Sequence, residues 1–151
     1  MGVVDNLREL GLEIPVVPAP VAAYVPAVRT GQHVFTAGQL PLRSGELIAT
    51  GKVGAEVTPE TAYDCARQCA LNAIAAVASQ VDDLDSVRIV KAVVFVASTS
   101  DFTGQPQVAN GASELIGAAF GDAGIHARSA VGVPVLPLDA PVEVELIAEI
   151  G

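Results

Sequence analysis

The chain has 151 residues, 51% of them apolar and 17% charged, and a formal net charge of −9. A chain of that length buries roughly 70% of its unfolded surface as one domain, so it holds a core without disulfide or metal staples. The charge is spread along the chain and its eight Lys and Arg are scattered, which argues against nucleic acid as a partner.

A mean hydropathy of +0.49 with so few charges predicts that some surface is hidden against copies of the same chain. No apolar run approaches the ~18 residues of a membrane-spanning helix. Asp5, Arg8, Glu9 and Glu13 interrupt any leader-like segment at the start. Cys65 and Cys69 lie four apart in a helical pattern, and no zinc-type Cys/His spacing exists. Buried, reduced thiols in a cytoplasmic protein are the reading.

In chain order, residues 1–20 read as an appendage to one domain that spans the whole chain. Leu7, Leu10 and Leu12 mark a short amphipathic helix ended by Gly11 and Pro15, and Val16 to Pro20 form a linker. Val21 to Val28 is expected to be an edge strand, because Pro26 cannot donate to a central ladder. A turn at Thr30-Gly31-Gln32 leads into a strand over His33 to Leu40. Gly38 inside that strand signals a bulge or a close approach by another backbone or a ligand. Gly45 to Leu47 continues the meander. Gly45 to Lys52 superficially resembles a phosphate loop, but five residues separate its glycines where four are needed, and Val53 replaces the Ser or Thr that would hold magnesium.

Thr58-Pro59-Glu60 starts a helix with a hydroxyl cap, a Pro at the first position and an acid in the first turn. Ala62, Cys65, Ala66, Cys69, Ala73, Ala76 and Val77 give it a small-residue stripe to about Ser79. Asp82-Asp83-Leu84-Asp85 is a solvated turn without the Gly and distal Glu of a calcium loop. Val87 to Ala97 is so continuously apolar that it reads as a strand covered on both faces. A second helix follows over Gln105 to Phe120.

Two alternating segments close the chain, Ala127 to Val133 and Val142 to Ile150, and Pro134, Pro137, Asp139 and Pro141 supply turn chemistry between them. They are expected to be adjacent antiparallel strands. Glu143, Glu145, Ile147 and Glu149 share one face of the last; Arg128, Ala130 and Gly132 share one face of the other. Pattern alone favours a solvent-facing acidic edge with one incidental Arg. The alternative is a pocket in which the Arg fork grips a carboxylate, a Glu positions water, and Ala130, Gly132 and Gly38 leave room for a ligand. His33 and His126 are too few and unsupported for a metal site, and no nucleophile elbow surrounds Ser98 or Ser129. The element order predicts an α+β layer with two helices on one face of a mixed sheet. Two helices cannot cover both faces, so a neighbouring subunit is expected on the other.

Ala127-Arg128-Ser129-Ala130-Val131, Leu136-Pro137-Leu138-Asp139 and Val142-Glu143-Val144-Glu145-Leu146-Ile147-Ala148 resemble the C-terminal signature of the Rid family, the reactive-intermediate (enamine/imine) deaminases also called YjgF. Tyr24, Thr36-Ala37-Gly38-Gln39-Leu40-Pro41 and Asn110 extend the resemblance over Val21 to Ile150, and the added N-terminal helix resembles the longer members. The resemblance implies a chorismate-mutase-like (ferredoxin-like relative) subunit, a homotrimer with sites between subunits, and hydrolysis of 2-imino acids to 2-keto acids and ammonia without metal or cofactor. It implies that Arg128 binds the substrate carboxylate and Glu143 holds the attacking water. Tyr24, Gly38, Asn110 and Ala130 would line the cleft. Ala130 and Ala37 stand where many members carry Cys and Ser, which removes a reactive thiol from the first position. A non-catalytic binder of small carboxylates is the alternative function. RNA cleavage, a label attached to some relatives, fits the net charge poorly.

Overall fold

The computed structural model describes residues 2–18 and 23–151. Ala19 and Pro20 of the linker and the start of the expected edge strand at Val21 lie outside the described residues. Five strands form one mixed sheet in the order β1 (Ala27–Thr30), β2 (His33–Thr36), β7 (Val142–Ile150), β5 (Val87–Ala97), β6 (Ala127–Val133). β3 (Leu42–Arg43) and β4 (Glu46–Leu47) pair only with each other, as a small ribbon off the main sheet rather than a continuation of the meander. Helices α2 (Pro59–Ala78) and α3 (Gln105–Phe120) pack on one face, as the α+β reading expects.

Local signals set the element ends. The Thr58 hydroxyl accepts from the Thr61 amide at 3.2 Å, and Pro59 opens α2. Every residue of the expected small-residue stripe on α2 is buried. β1 begins after Pro26, not before it: the ring has no N–H to give, and the sheet starts at the next residue. Gly31 turns the β1–β2 hairpin with φ at +58°.

The closing segments are not neighbours. β6 runs parallel to β5 at the edge of the sheet, and β7 lies antiparallel on the other side of β5. Alternation assigns a strand's two faces but not its lateral partner. The partner here is set by the β5–α3–β6 crossover, which returns the chain in the parallel sense beside β5. Residues 134–141 therefore span the end of β5 instead of forming a tight hairpin.

Within the single chain the helices cover β5 on one face, the other being the face on which a neighbouring subunit is expected. Ile89, Ala92, Val94 and Val96 are buried under the helices, whereas Lys91, Val93 and Phe95 are half-buried on the bare face. A register shift between Ile89 and Lys91 moves the alternation by one residue, which is why the sequence shows no clean period of two. The bare face carries Val28, Phe35, Val93, Phe95, Val131 and Ile147, with Phe35 and Val131 each 44% exposed. His33 and Glu149 meet on it at 3.5 Å.

The N-terminal segment is tied in rather than appended. Helix α1 (Val3–Glu9) buries Val3 and Leu7, while Leu10 is exposed. The Asn6 amide donates to the Ala119 carbonyl at 2.8 Å, and the Val3 N–H donates to Asp85 at 2.7 Å.

α2 and α3 cross at Gly111, where a Cβ would lie 2.1 Å from the Tyr63 carbonyl oxygen. The helices can meet only because that methyl is missing. Gly111→Ala is expected to cost about 2–3 kcal/mol, which lowers the melting temperature by roughly 4–12 °C in a chain of this size. Thermal unfolding of the variant checks this.

Candidate active site

The site residues named from the sequence fall into two groups on opposite sides of the sheet. Arg128 pairs laterally with Ala92 and through it with Leu146, both buried beneath the helices, so its side chain projects toward α3. Glu143 pairs with Phe95 and projects to the bare face. The two α-carbons are two strand spacings apart, about 10 Å, and three residues apart along the strands, about another 10 Å. One chain alone does not bring Arg128 and Glu143 into a shared pocket, contrary to the reading that made them neighbours on adjacent strands.

The first group is Arg128, Asn110 and Ala130. Arg128 Nη1 donates to Asn110 Oδ1 at 2.8 Å and to Ser113 Oγ at 3.2 Å, and Nη2 donates to the Pro106 carbonyl at 3.3 Å. Three of the five guanidinium hydrogens are thus engaged by the first three turns of α3. Among the described residues nothing takes the remaining two, on Nε and Nη2. Those two share one edge of the planar group and fit a carboxylate bidentately. Ala130 lies two residues along the same face, half-buried against the core. Next to it, Ser98, Gln105 and Gly132 border an open cavity of about 710 Å³.

The second group is Glu143, Gly38 and Tyr24, which line a small cavity of about 60 Å³ with Leu40, Pro137 and Leu138. Gly38 lets the carboxylate come close: a Cβ there would sit 2.6 Å from Glu143 Cδ and 2.8 Å from Oε1, and would push that side chain out of its place. The close approach expected from a glycine in the strand is therefore made by a side chain of the same subunit. Past Thr36 the ladder breaks and resumes with Gln39 bonded to Val144 in both directions, which leaves Gly38 facing the carboxylate. Tyr24 is 47% exposed at the rim. Leu138 and Asp139 take φ of +60° and +61°, unusual for side chains other than Gly, Asn and Asp in the first case, and fold the loop over this cavity.

Burial raises the Glu143 pKa from its ordinary value, and the like charge of Glu145 adds to the shift. A carboxylate with raised basicity is a better proton acceptor near neutral pH. The Cys69 thiol is pushed well up by burial, so neither it nor Cys65, raised to about 11 for the same first reason, is a thiolate at neutral pH.

Sequence reasoning missed two members of the first group. Ser113 follows Asn110 by three positions and shares its helix face, and His126 sits just before β6; the only signal was a pair of polar residues one turn apart on α3 facing the strand that carries Arg128. The Pro106 carbonyl left no signal.

The sequence model of the family described as Endoribonuclease L-PSP matches residues 15–150. The 2-iminobutanoate/2-iminopropanoate deaminase of Escherichia coli is 34% identical over 131 residues, 87% of this chain and 90% of that protein. The chain belongs to the Rid (YjgF) family. Within it, a Trypanosoma cruzi protein called TCP17 is 43% identical over 151 residues, 99% of this chain and 94% of its own length. The crystal structure of Atu1372 from Agrobacterium tumefaciens, described as of unknown function, superposes with a TM-score of 0.93 at 41% identity over 99% of this chain and 92% of that one. Both matches cover 99% of this chain, the α1 segment included, whereas the match to the deaminase covers 87%.

Proposed function

We propose that this Rid protein is an imine deaminase that hydrolyses 2-imino acids to 2-keto acids and ammonia, and that it works as a homotrimer with each site built between two copies. The observation that carries the reading is the split of the site. A carboxylate anchor with a free edge lies at one side of the subunit, and a basic carboxylate in a small cavity lies at the other. A closed ring of copies in head-to-tail contact joins unlike surfaces of neighbours, so the anchor of one copy meets the Glu143 cavity of the next. The bare face supports the same assembly, since Val28, Phe35 and Val131 stand exposed together on one side of the sheet. The family kinship to a 2-iminobutanoate/2-iminopropanoate deaminase supports the choice of reaction.

The chemistry asks little of the protein. Arg128 Nε and Nη2 hold the carboxylate of the substrate, which fixes the adjacent C2 of the protonated imine. Glu143 takes a proton from a water as its oxygen bonds to C2, giving a neutral carbinolamine. The protonated Glu143 then passes that proton to the amine nitrogen. As the carbinolamine hydroxyl loses its proton to Glu143, C2=O forms and the C–N bond breaks. Ammonia leaves and takes up the last proton as ammonium, which restores the carboxylate. Positioning and one proton shuttle suffice because the iminium carbon is already electrophilic. Gly38 keeps Glu143 close to the backbone, and Tyr24 walls the cleft.

The test is a coupled assay in which 2-aminoacrylate is generated enzymatically and 2-keto acid release is followed with and without this protein. Accelerated release is the expected result. Tight keto-acid binding without acceleration replaces the enzyme with a small-carboxylate binder.

A further inference from the structure

Ser113 and His126 carry no role in the reaction described above, yet they form one directional chain with Arg128. His126 Nδ1 lies 2.6 Å from the Gly124 carbonyl. A carbonyl only accepts, so Nδ1 carries the hydrogen and the neutral ring offers Nε2 as an acceptor. Ser113 Oγ lies 2.9 Å from that Nε2 and donates its hydrogen to it. The lone pairs of Ser113 are then turned to Arg128, whose Nη1 donates to them at 3.2 Å. Each donor in the series Arg128, Ser113, His126 meets one acceptor, and such chains polarise and strengthen their members.

We propose that Ser113 and His126 are positioning residues that lock the Arg128 fork with its Nε–Nη2 edge turned out to the substrate carboxylate; the inference rests on the reading of Arg128 as that anchor. Two features separate this from incidental packing. A serine inside a helix ordinarily bonds back to a carbonyl of its own helix or to water. Among the described residues, the Ser113 hydroxyl instead has its bonds to β6 and the residue just before it. Asn110 engages the second hydrogen of Nη1 from one turn earlier on α3. Both Nη1 hydrogens are therefore fixed, and a guanidinium with one nitrogen fully held cannot rotate about its Cζ bonds without breaking two hydrogen bonds at once. His126 acts only through Ser113: it dictates which way the hydroxyl points.

A relay from His126 through Ser113 to Arg128 has kinetic consequences that a merely structural role lacks. Ser113→Ala is expected to raise KM for the imino acid roughly tenfold with kcat within about twofold, and Ser113→Thr, which keeps the hydroxyl, is expected to restore KM. His126→Phe is expected to raise KM about threefold in the wild-type background and to have no further effect in the Ser113→Ala background. Additive effects in the double variant, or unchanged KM in Ser113→Ala, overturn the proposal. Nitrogen NMR of the Arg128 guanidinium decides the matter without turnover: two resolved Nη signals in the native protein, averaged into one in Ser113→Ala, are expected. Averaged signals in the native protein overturn it. Wild-type protein that releases no keto acid while these signals behave as expected sinks the deaminase reading and leaves the positioning role standing.

Discussion

Arg128→Ala is expected to lower kcat/KM for 2-imino acid hydrolysis about a hundredfold, mainly through KM. Two charge-assisted hydrogen bonds to one carboxylate are at stake on the Nε–Nη2 edge, and losing them costs about 3 kcal/mol. The fold has little to lose, because Arg128 sits at the start of an edge strand and its partners Asn110, Ser113 and the Pro106 carbonyl are close enough to the surface to be met by water. Arg128→Lys is expected to recover only part of the loss, since an ammonium offers a point charge in place of a planar fork. Steady-state kinetics of both variants check this. Equal keto-acid release by wild type and Arg128→Ala contradicts the assigned role.

Glu143→Gln is expected to act on kcat, lowering it at least a hundredfold, because the amide fills the same volume but accepts no proton. The substitution also has an opposite effect on stability. Glu143 has a folded-state pKa raised above its unfolded value, first by burial and second by Glu145. A group shifted in that direction contributes stability below its unfolded pKa and loses it as pH rises through the folded pKa. At neutral pH the ionised side chain is therefore a liability to folding, and at acid pH the neutral one is not. Glu143→Gln is expected to raise the melting temperature at pH 7 and to leave it nearly unchanged near pH 4. A melting temperature that falls at pH 7 contradicts the electrostatic description of the cavity. Activity and stability pull apart here, as they do where a site holds a charge that folding alone would not choose.

What could be read from the sequence was what neighbours along the chain decide. Thr58-Pro59 announces α2 because capping is a local event, and the alternation of Val142 to Ile150 assigns each of its side chains to a face correctly. The glycine at 38 pointed to a bulge or a close approach by a backbone or ligand, and the Glu143 side chain takes that place instead. Lateral order was beyond reach: the same alternation fits β7 beside β6 or beside β5, and only packing of the β5–α3–β6 crossover chooses. The irregular period of Val87 to Ala97 has one cause at one place, the register shift after Ile89, and was indistinguishable in sequence from burial on both faces. Ser113 and His126 were invisible as a unit because they lie thirteen positions apart on different elements and meet only after α3 docks against β6.

The separation of Arg128 from Glu143 across the sheet means that neither residue can serve the other's site within one subunit. Trimers assembled from equal amounts of Arg128→Ala and Glu143→Ala subunits test that arrangement most directly. Each mixed site that draws its Arg from a Glu143→Ala copy and its Glu from an Arg128→Ala copy is intact, and random assembly makes about a quarter of all sites intact. Recovery of about a quarter of wild-type activity from two inactive parents is the expected result. Mixed trimers as inactive as their parents would contradict a site shared between copies.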